Sequence, residues 1–369
     1  MSDGPGLPSV GGMDTPAVTP APNRQTWPDV AKGICIVLVV LWHVVTKHYQ
    51  RVDWDTSVPW SAMWGTLGEQ LLPLRMPLFF TISGMFAVGA VARSWPVLIR
   101  TRVARFFYLY ALWLIIHTAV MWSTPTFDTA RARSAGELLS QVTISPTNLW
   151  YLFALALYFA VARATRRVPT AWLLTAALAL SAVAAADLLP VVSNRGQVYQ
   201  NLVFFLAGLR LRPAIETYAS TASARRLLPA GAAYVVALLA MAAAGAQRWI
   251  GVWPAVSVLA IALGIAGAAM IARHLRRTTR VLSGLGTRTL PIYVMHLPLL
   301  AVVDRVLRGP LHVLEPRTTL VAAVEPVVLT ALLIAVCLTL ERALRRRGTR
   351  WLLEMPGSRR PASVAREAA

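Results

Sequence analysis

Long apolar runs alternate with short polar stretches from one end of the chain to the other. A helix needs roughly 20 apolar residues to cross a bilayer. Ten segments read as spans on this pattern: 30–46, 67–91, 106–122, 149–162, 171–189, 198–211, 227–246, 250–271, 289–307 and 320–340. The fourth and sixth are short, and the alternation of what lies between the spans is the reason to count them. Stretches after even-numbered spans carry arginine clusters, while those after odd-numbered spans are mixed or acidic. By the positive-inside rule both termini are then cytoplasmic. The second span is interrupted by Pro73-Leu-Arg75-Met-Pro77, a break that is tolerated where it lines a protein cavity. The fold class predicted is an all-α polytopic membrane protein of about ten transmembrane helices.

Composition agrees. Of 369 residues, 56% are hydrophobic and 14% charged, against about a quarter charged in soluble domains. The net charge of +20 would suggest nucleic acid in a soluble protein. Here most arginines sit in short loops between apolar runs, so membrane orientation explains them and no nucleic-acid partner is expected. Residues 1–23 are rich in Gly, Pro, Ser and Thr and lack the basic start and apolar core of a signal peptide. They read as a disordered tail ahead of an uncleaved anchor; 24–347 form the membrane domain, and 348–369 read as a second disordered tail. Cys35 and Cys337 fall inside apolar runs, as buried thiols do, and nothing matches a zinc spacing.

The first span carries the most pointed chemistry. Lys32 and His43 are eleven positions apart, three helical turns, so they share a face at roughly 16 Å separation. A charge and a titratable ring on one stripe of a span face a bundle interior or a watery cavity. His43 has two readings: a proton acceptor for a hydroxyl, or a ring hydrogen-bonded to a neighbouring span. His296, between Pro291 and Pro298, has the same two, and His117 leans to packing. Glu69 either orients a histidine, meets a sugar hydroxyl, or is an interfacial carboxylate. Arg75, inside the broken span, needs a carboxylate or an anionic ligand, because guanidinium does not neutralise. Arg100, Arg102 and Arg105 either clamp phosphates at the inner face or set topology. Arg102 and Arg105, three apart, are placed on one face.

These segments together resemble the integral-membrane O-acyltransferases of acyltransferase family 3, which includes bacterial O-antigen and nodulation-factor O-acetyltransferases. The resemblance runs from about Arg24 to Leu340. It is carried by Asp29-Val-Ala-Lys32-Gly33-Ile with Trp42-His43, by Arg75-Met-Pro-Leu-Phe-Phe-Thr-Ile-Ser83-Gly84, and by Arg102-Val-Ala-Arg105-Phe-Phe-Tyr108. Asn148-Leu-Trp150-Tyr151-Leu and Ile292-Tyr293-Val-Met-His296-Leu-Pro complete it. Where the family commonly has arginine eleven positions before the span 1 histidine, with ten residues between, this chain has Lys32. The chain is similar to the standalone form, without an appended extracytoplasmic domain.

The resemblance implies an acyl-CoA, usually acetyl-CoA, bound from the cytoplasm as co-substrate with no permanently bound cofactor. The acyl group passes to a hydroxyl of a surface glycan or glycolipid, across the inner (plasma) membrane. His43, Glu69, Arg75 and His296 are then the catalytic candidates. Lys32, Arg100, Arg102 and Arg105 are the candidates for binding acyl-CoA, and no metal is expected. A lipid or sugar transporter without acyl-transfer chemistry is the alternative, since broken helices and intramembrane charges occur there too.

Overall fold

A computed structural model describes residues 25–357, apart from 55, 128, 130 and 314–318 and the side chains of 308–313. The tail expected at 1–23 and residues 358–369 of the second tail lie outside the described residues. All regular structure among the described residues is helical. In chain order the helices are α1 (Trp27–Lys47), α2 (Trp60–Gln70), α3 (Leu72–Met85), α4 (Val88–Val91), α5 (Trp95–Leu98), α6 (Ala104–Ser123), α7 (Ala135–Thr143) and α8 (Trp150–Ala164). There follow α9 (Thr170–Ala185), α10 (Arg195–Arg210), α11 (Arg212–Ser220), α12 (Ala224–Ala243), α13 (Val252–His274), α14 (Arg276–Gly286), α15 (Thr289–Val313) and α16 (Thr319–Arg346).

The chain is a multi-pass membrane protein. Six helical stretches are long and apolar enough to cross a bilayer: Trp27–Arg51, Trp95–Ser123, Ala224–Ala243, Val252–His274, Thr289–Leu307 and Thr319–Arg346. Trp150–Ala164 and Thr170–Ala185 are apolar but shorter. The two remaining expected spans correspond to α3 and α10, which are shorter than the six and pack on each other. A Cβ on Gly84 would collide with the Phe205 carbonyl, and one on Gly208 with that of Thr81, so each helix offers a glycine to the other's backbone. Close backbone approach at small residues is how helices associate where lipid supplies no hydrophobic drive.

The first helix is the hub. It touches α3, α13, α14, α15 and α16, and 56% of its apolar window is buried, against 11% for the peripheral α12. The sequence reading took 273–288 as a basic loop, yet it holds α14, which packs tightly on α1. Gly33 faces the Leu282 carbonyl and Gly286 the Asp29 carbonyl, with no room for a Cβ at either. Its basic residues lie on the outward side while Gly286 and the half-buried Leu282 and Leu285 face inward.

The arginine clusters have a second task beyond topology. Arg163 donates to the Val91 carbonyl at 3.0 Å, Arg210 to that of Thr165 at 2.8 Å, and Arg273 to that of Ala222 at 2.6 Å. Each satisfies carbonyls that a helix end leaves unpaired.

Three local departures from the sequence reading matter for the site. The break in the second span falls at Leu71, ahead of Pro73. Proline is tolerated in a helix's first turn, where its missing N–H has no partner to lose, so α3 starts there and carries Arg75 in its opening turn. A π turn, Ile99–Val103, precedes α6. Finally, the 348–357 segment docks on α6: Trp113 Nε1 donates to the Leu352 carbonyl at 2.7 Å, and Leu353 is buried.

Candidate active site

The interrupted helix, the hub and α15 bring their polar residues together. His296 Nδ1 lies 3.0 Å from the Ile292 carbonyl, one turn back on α15. A carbonyl only accepts, so Nδ1 carries the proton and Nε2 of the neutral ring has the lone pair. That Nε2 stands 3.2 Å from His43 Nδ1, which also faces the Val39 carbonyl at 2.9 Å. With acceptors on both sides, His43 Nδ1 is the protonated nitrogen. Its lone pair therefore sits on Nε2, and no protein hydrogen bond occupies that atom among the described residues. His43 is half-buried whereas His296 is 2% exposed. One ring thus keeps a lone pair without a protein donor, and the other holds it in that tautomer.

His117 does something different. Its Nε2 is 2.8 Å from the Val294 carbonyl, so it donates there and pins α6 to α15 beside His296. This is the packing role toward which its sequence position leaned.

Arg75 is 5% exposed, with its guanidinium carbon 4.4 Å from the centre of the Trp42 ring. It forms no ion pair among the described residues. A guanidinium does not neutralise, so this arginine keeps its charge on an aromatic face with no carboxylate beside it among the described residues.

The structure does not bring Glu69 to this group. It is exposed on α2, because Gly68 is the residue that faces Trp42. The partner that the sequence reading sought for His43 is His296.

On the Lys32 side of the histidines lies a cavity of about 210 Å³. Lys32, Arg102 and Thr289 line it, together with the apolar Leu152, Leu155 and Phe159. Lys32 Nζ is 2.7 Å from Asp29 Oδ1, so it presents a paired charge. Arg102 lies over the Phe159 ring at 5.6 Å.

Arg102 and Arg105 were expected on one face, but they line different cavities. Arg102 belongs to the π turn, whose i→i+5 bonding changes the angular step into α6. Arg100, in the same turn, is exposed.

The inner end of the cavity is closed by tyrosines. Ser83 Oγ and Tyr151 OH are 3.0 Å apart, Tyr293 OH donates to the Asn148 carbonyl at 2.8 Å, and the two tyrosine rings stack edge-on at 5.4 Å. The Tyr293 ring is also 6.1 Å from that of His296. One layer of side chains therefore separates the cavity from the histidine pair. Tyr151 and Tyr293 both stand in the sequence segments that carry the resemblance.

Sequence reasoning missed a second buried cluster. His48 Nδ1 is 2.9 Å from Asp304 Oδ1, and His48 Nε2 is 3.4 Å from Glu325 Oε1. It ties the end of α1 to α15 and α16. The signal was an aspartate near the end of an apolar span, which calls for a named partner. Changing His48 to Ala is expected to destabilise the protein by about 3–5 kcal/mol, the usual cost of removing one side of a buried pair. A fall in the melting temperature of detergent-solubilised protein checks it; an unchanged melting temperature contradicts a stapling role.

A family model described as "Acyltransferase domain" matches residues 25–342. Among curated proteins, the chain is similar to inner membrane protein YcfT of Escherichia coli (strain K12). The two are 26% identical over 305 residues, covering 74% of this chain and 79% of that protein. No solved structure matches.

Proposed function

The chain belongs to this acyltransferase family, and from that premise we propose that it is a membrane-bound O-acyltransferase using cytoplasmic acyl-CoA. The acyl group, acetyl in this reading, goes to a hydroxyl of an extracytoplasmic glycan or glycolipid. The carrying observation is the unoccupied Nε2 of His43, whose tautomer the Val39 carbonyl and His296 fix. Similarity to YcfT supports placement in an inner membrane.

The orientation follows from charge. Lys32, Arg102 and Thr289 share one end of the bundle, which is the cytoplasmic end by the positive-inside rule. Counting α3, α8, α9 and α10 with the six long helices gives ten crossings and cytoplasmic termini. The short helices suffice because α3 and α10 are shielded by their neighbours and need not be apolar all round.

In the reaction, His43 Nε2 takes the proton of the acceptor hydroxyl as its oxygen attacks the thioester carbonyl carbon. Arg75 donates to the oxygen that becomes negative. The C–S bond then breaks, the acyl oxygen ester remains on the acceptor, and the proton on His43 goes to the departing thiolate. His296 holds the imidazole in the reactive tautomer throughout. The donor's arm must pass Tyr151 and Tyr293, so that wall turns aside when the donor enters.

Purified protein given [¹⁴C]acetyl-CoA and envelope glycolipids extracted from a strain lacking the gene is expected to move label into one glycolipid, with stoichiometric release of CoA. Binding of the glycolipid with no label transferred favours the transporter reading.

A further inference from the structure

A second cavity, of about 550 Å³, adjoins the first: Leu290 lines both. Four arginines face it, namely Arg105, Arg288, Arg342 and Arg345, with Glu341 and Glu354. The balance is two positive charges in excess. Arg345 accounts for both carboxylates, at 2.8 Å to Glu341 Oε1 and 3.1 Å to Glu354 Oε1. Arg288 and Arg342 are exposed and form no ion pair among the described residues. Arg105 Nε is buried with no acceptor, and Glu341 Oε2, in a residue 4% exposed, is buried with no donor. Buried donors without partners are rare enough to call for a ligand or a water.

The carboxylate of Glu354 is delivered there by a fold-back of the chain. Gly348 takes φ 76° after α16, a conformation that favours glycine. Residues 350–352 form a 3₁₀ turn. The Trp351 and Leu352 carbonyls accept from Tyr108 at 3.0 Å and Trp113 at 2.7 Å. These bonds hold the segment on α6 and set Glu354 against Arg345, while Glu341 holds the other side of the same guanidinium.

We propose that this second cavity takes the phosphorylated nucleotide end of the acyl donor, and that Glu354 is an internal competitor which the donor's phosphate displaces from Arg345. The proposal rests on the acyl-CoA reading above. Phosphate and carboxylate offer the same bidentate match to guanidinium, and phosphate carries the larger charge. With the nucleotide end here, the arm runs past Leu290 into the first cavity and the thioester points toward the tyrosine wall. Arg102 and Arg105 then hold one donor from the two cavities they line.

The test uses the full chain in nanodiscs of phosphatidylcholine, with acetyl-CoA, adenosine 3′,5′-bisphosphate and S-acetylpantetheine as probes in calorimetric titrations. Losing two charge-assisted contacts in Arg288→Ala/Arg342→Ala is expected to weaken acetyl-CoA and the bisphosphate about tenfold or more. S-acetylpantetheine, which lacks the nucleotide, is expected to bind as in wild type. Glu354→Gln, which removes the competing charge without shortening the side chain, is expected to tighten acetyl-CoA several-fold. Acetyl-CoA affinity unchanged in both variants overturns the subsite and leaves the acyltransferase reading standing. So does a site filled by lipid phosphate, seen as variants that match wild type in phosphatidylcholine and differ only in phosphatidylglycerol. Wild type that binds neither acetyl-CoA nor S-acetylpantetheine overturns both proposals.

Discussion

Protein carrying His43→Ala is expected to lose acyl transfer by about 10³-fold or more while remaining folded and inserted. Positioned general bases contribute typically 10²–10⁴-fold, and this imidazole is also the pivot on which His296 acts. The ring is half-buried, and its hydrogen-bond partners are the carbonyl of its own helix and one other imidazole. Its removal strands no buried charge, so little stability is at risk. The measurement is initial rate of label transfer beside the melting temperature of the same preparation. Full activity in His43→Ala removes the mechanism. The companion variant His296→Gln separates orientation from basicity. An amide nitrogen or oxygen near the position of Nε2 retains a partner for His43 Nδ1, so it should retain more activity than His296→Ala. Equal loss in both contradicts a role through His43.

The second large effect is expected at Arg75. With no carboxylate beside it among the described residues and its guanidinium on the Trp42 face, the charge is available to the oxygen that becomes negative. Losing one oxyanion donor costs about 10²–10³-fold in turnover, and Arg75→Ala is expected to fall in that range with little change in acceptor KM. Arg75→Lys is expected to recover only a small part, because an ammonium keeps the charge but not the planar stacking or the fork of donors. Full recovery by lysine would mean that charge alone matters at this position. A large rise in acceptor KM with turnover intact would move Arg75 from the reacting oxygen to substrate binding.

How far these residues could be found without the structure depends on what kind of contact each makes. His43 and Lys32 were legible because both lie on one helix, where spacing alone fixes the shared face. His296 was legible as an isolated polar residue between prolines, but its role was not, since the contact joins two helices 253 positions apart. Glu69 shows the converse: its distance along the chain from Arg75 is short, yet helix phase turns Gly68 inward instead. Arg102 and Arg105 were assigned to one face by assuming α-helical phase, and a π turn breaks that assumption. Helix α14 was hidden because its basic residues imitate a loop, while the glycines that let it approach α1 carry no apolar signal. The His48 cluster depends on three segments meeting, and only its burden of charge in an apolar span was visible in advance. Six spans survived as long helices because apolar length is a local property, whereas the 67–91 run divides at Leu71 and the short α8 and α10 rested on the alternation of basic loops.

The donor is expected to enter from the Lys32 end and the acyl group to leave on a hydroxyl at the other. Sealed membrane vesicles from cells expressing the protein test it, prepared either inside-out or right-side-out, with [¹⁴C]acetyl-CoA added only to the outer medium. Label is expected in glycolipid of inside-out vesicles, on the enclosed face and protected from an added esterase, and at background in right-side-out vesicles until they are permeabilised. Labelling of intact right-side-out vesicles at the inside-out rate would contradict a cytoplasmic donor site.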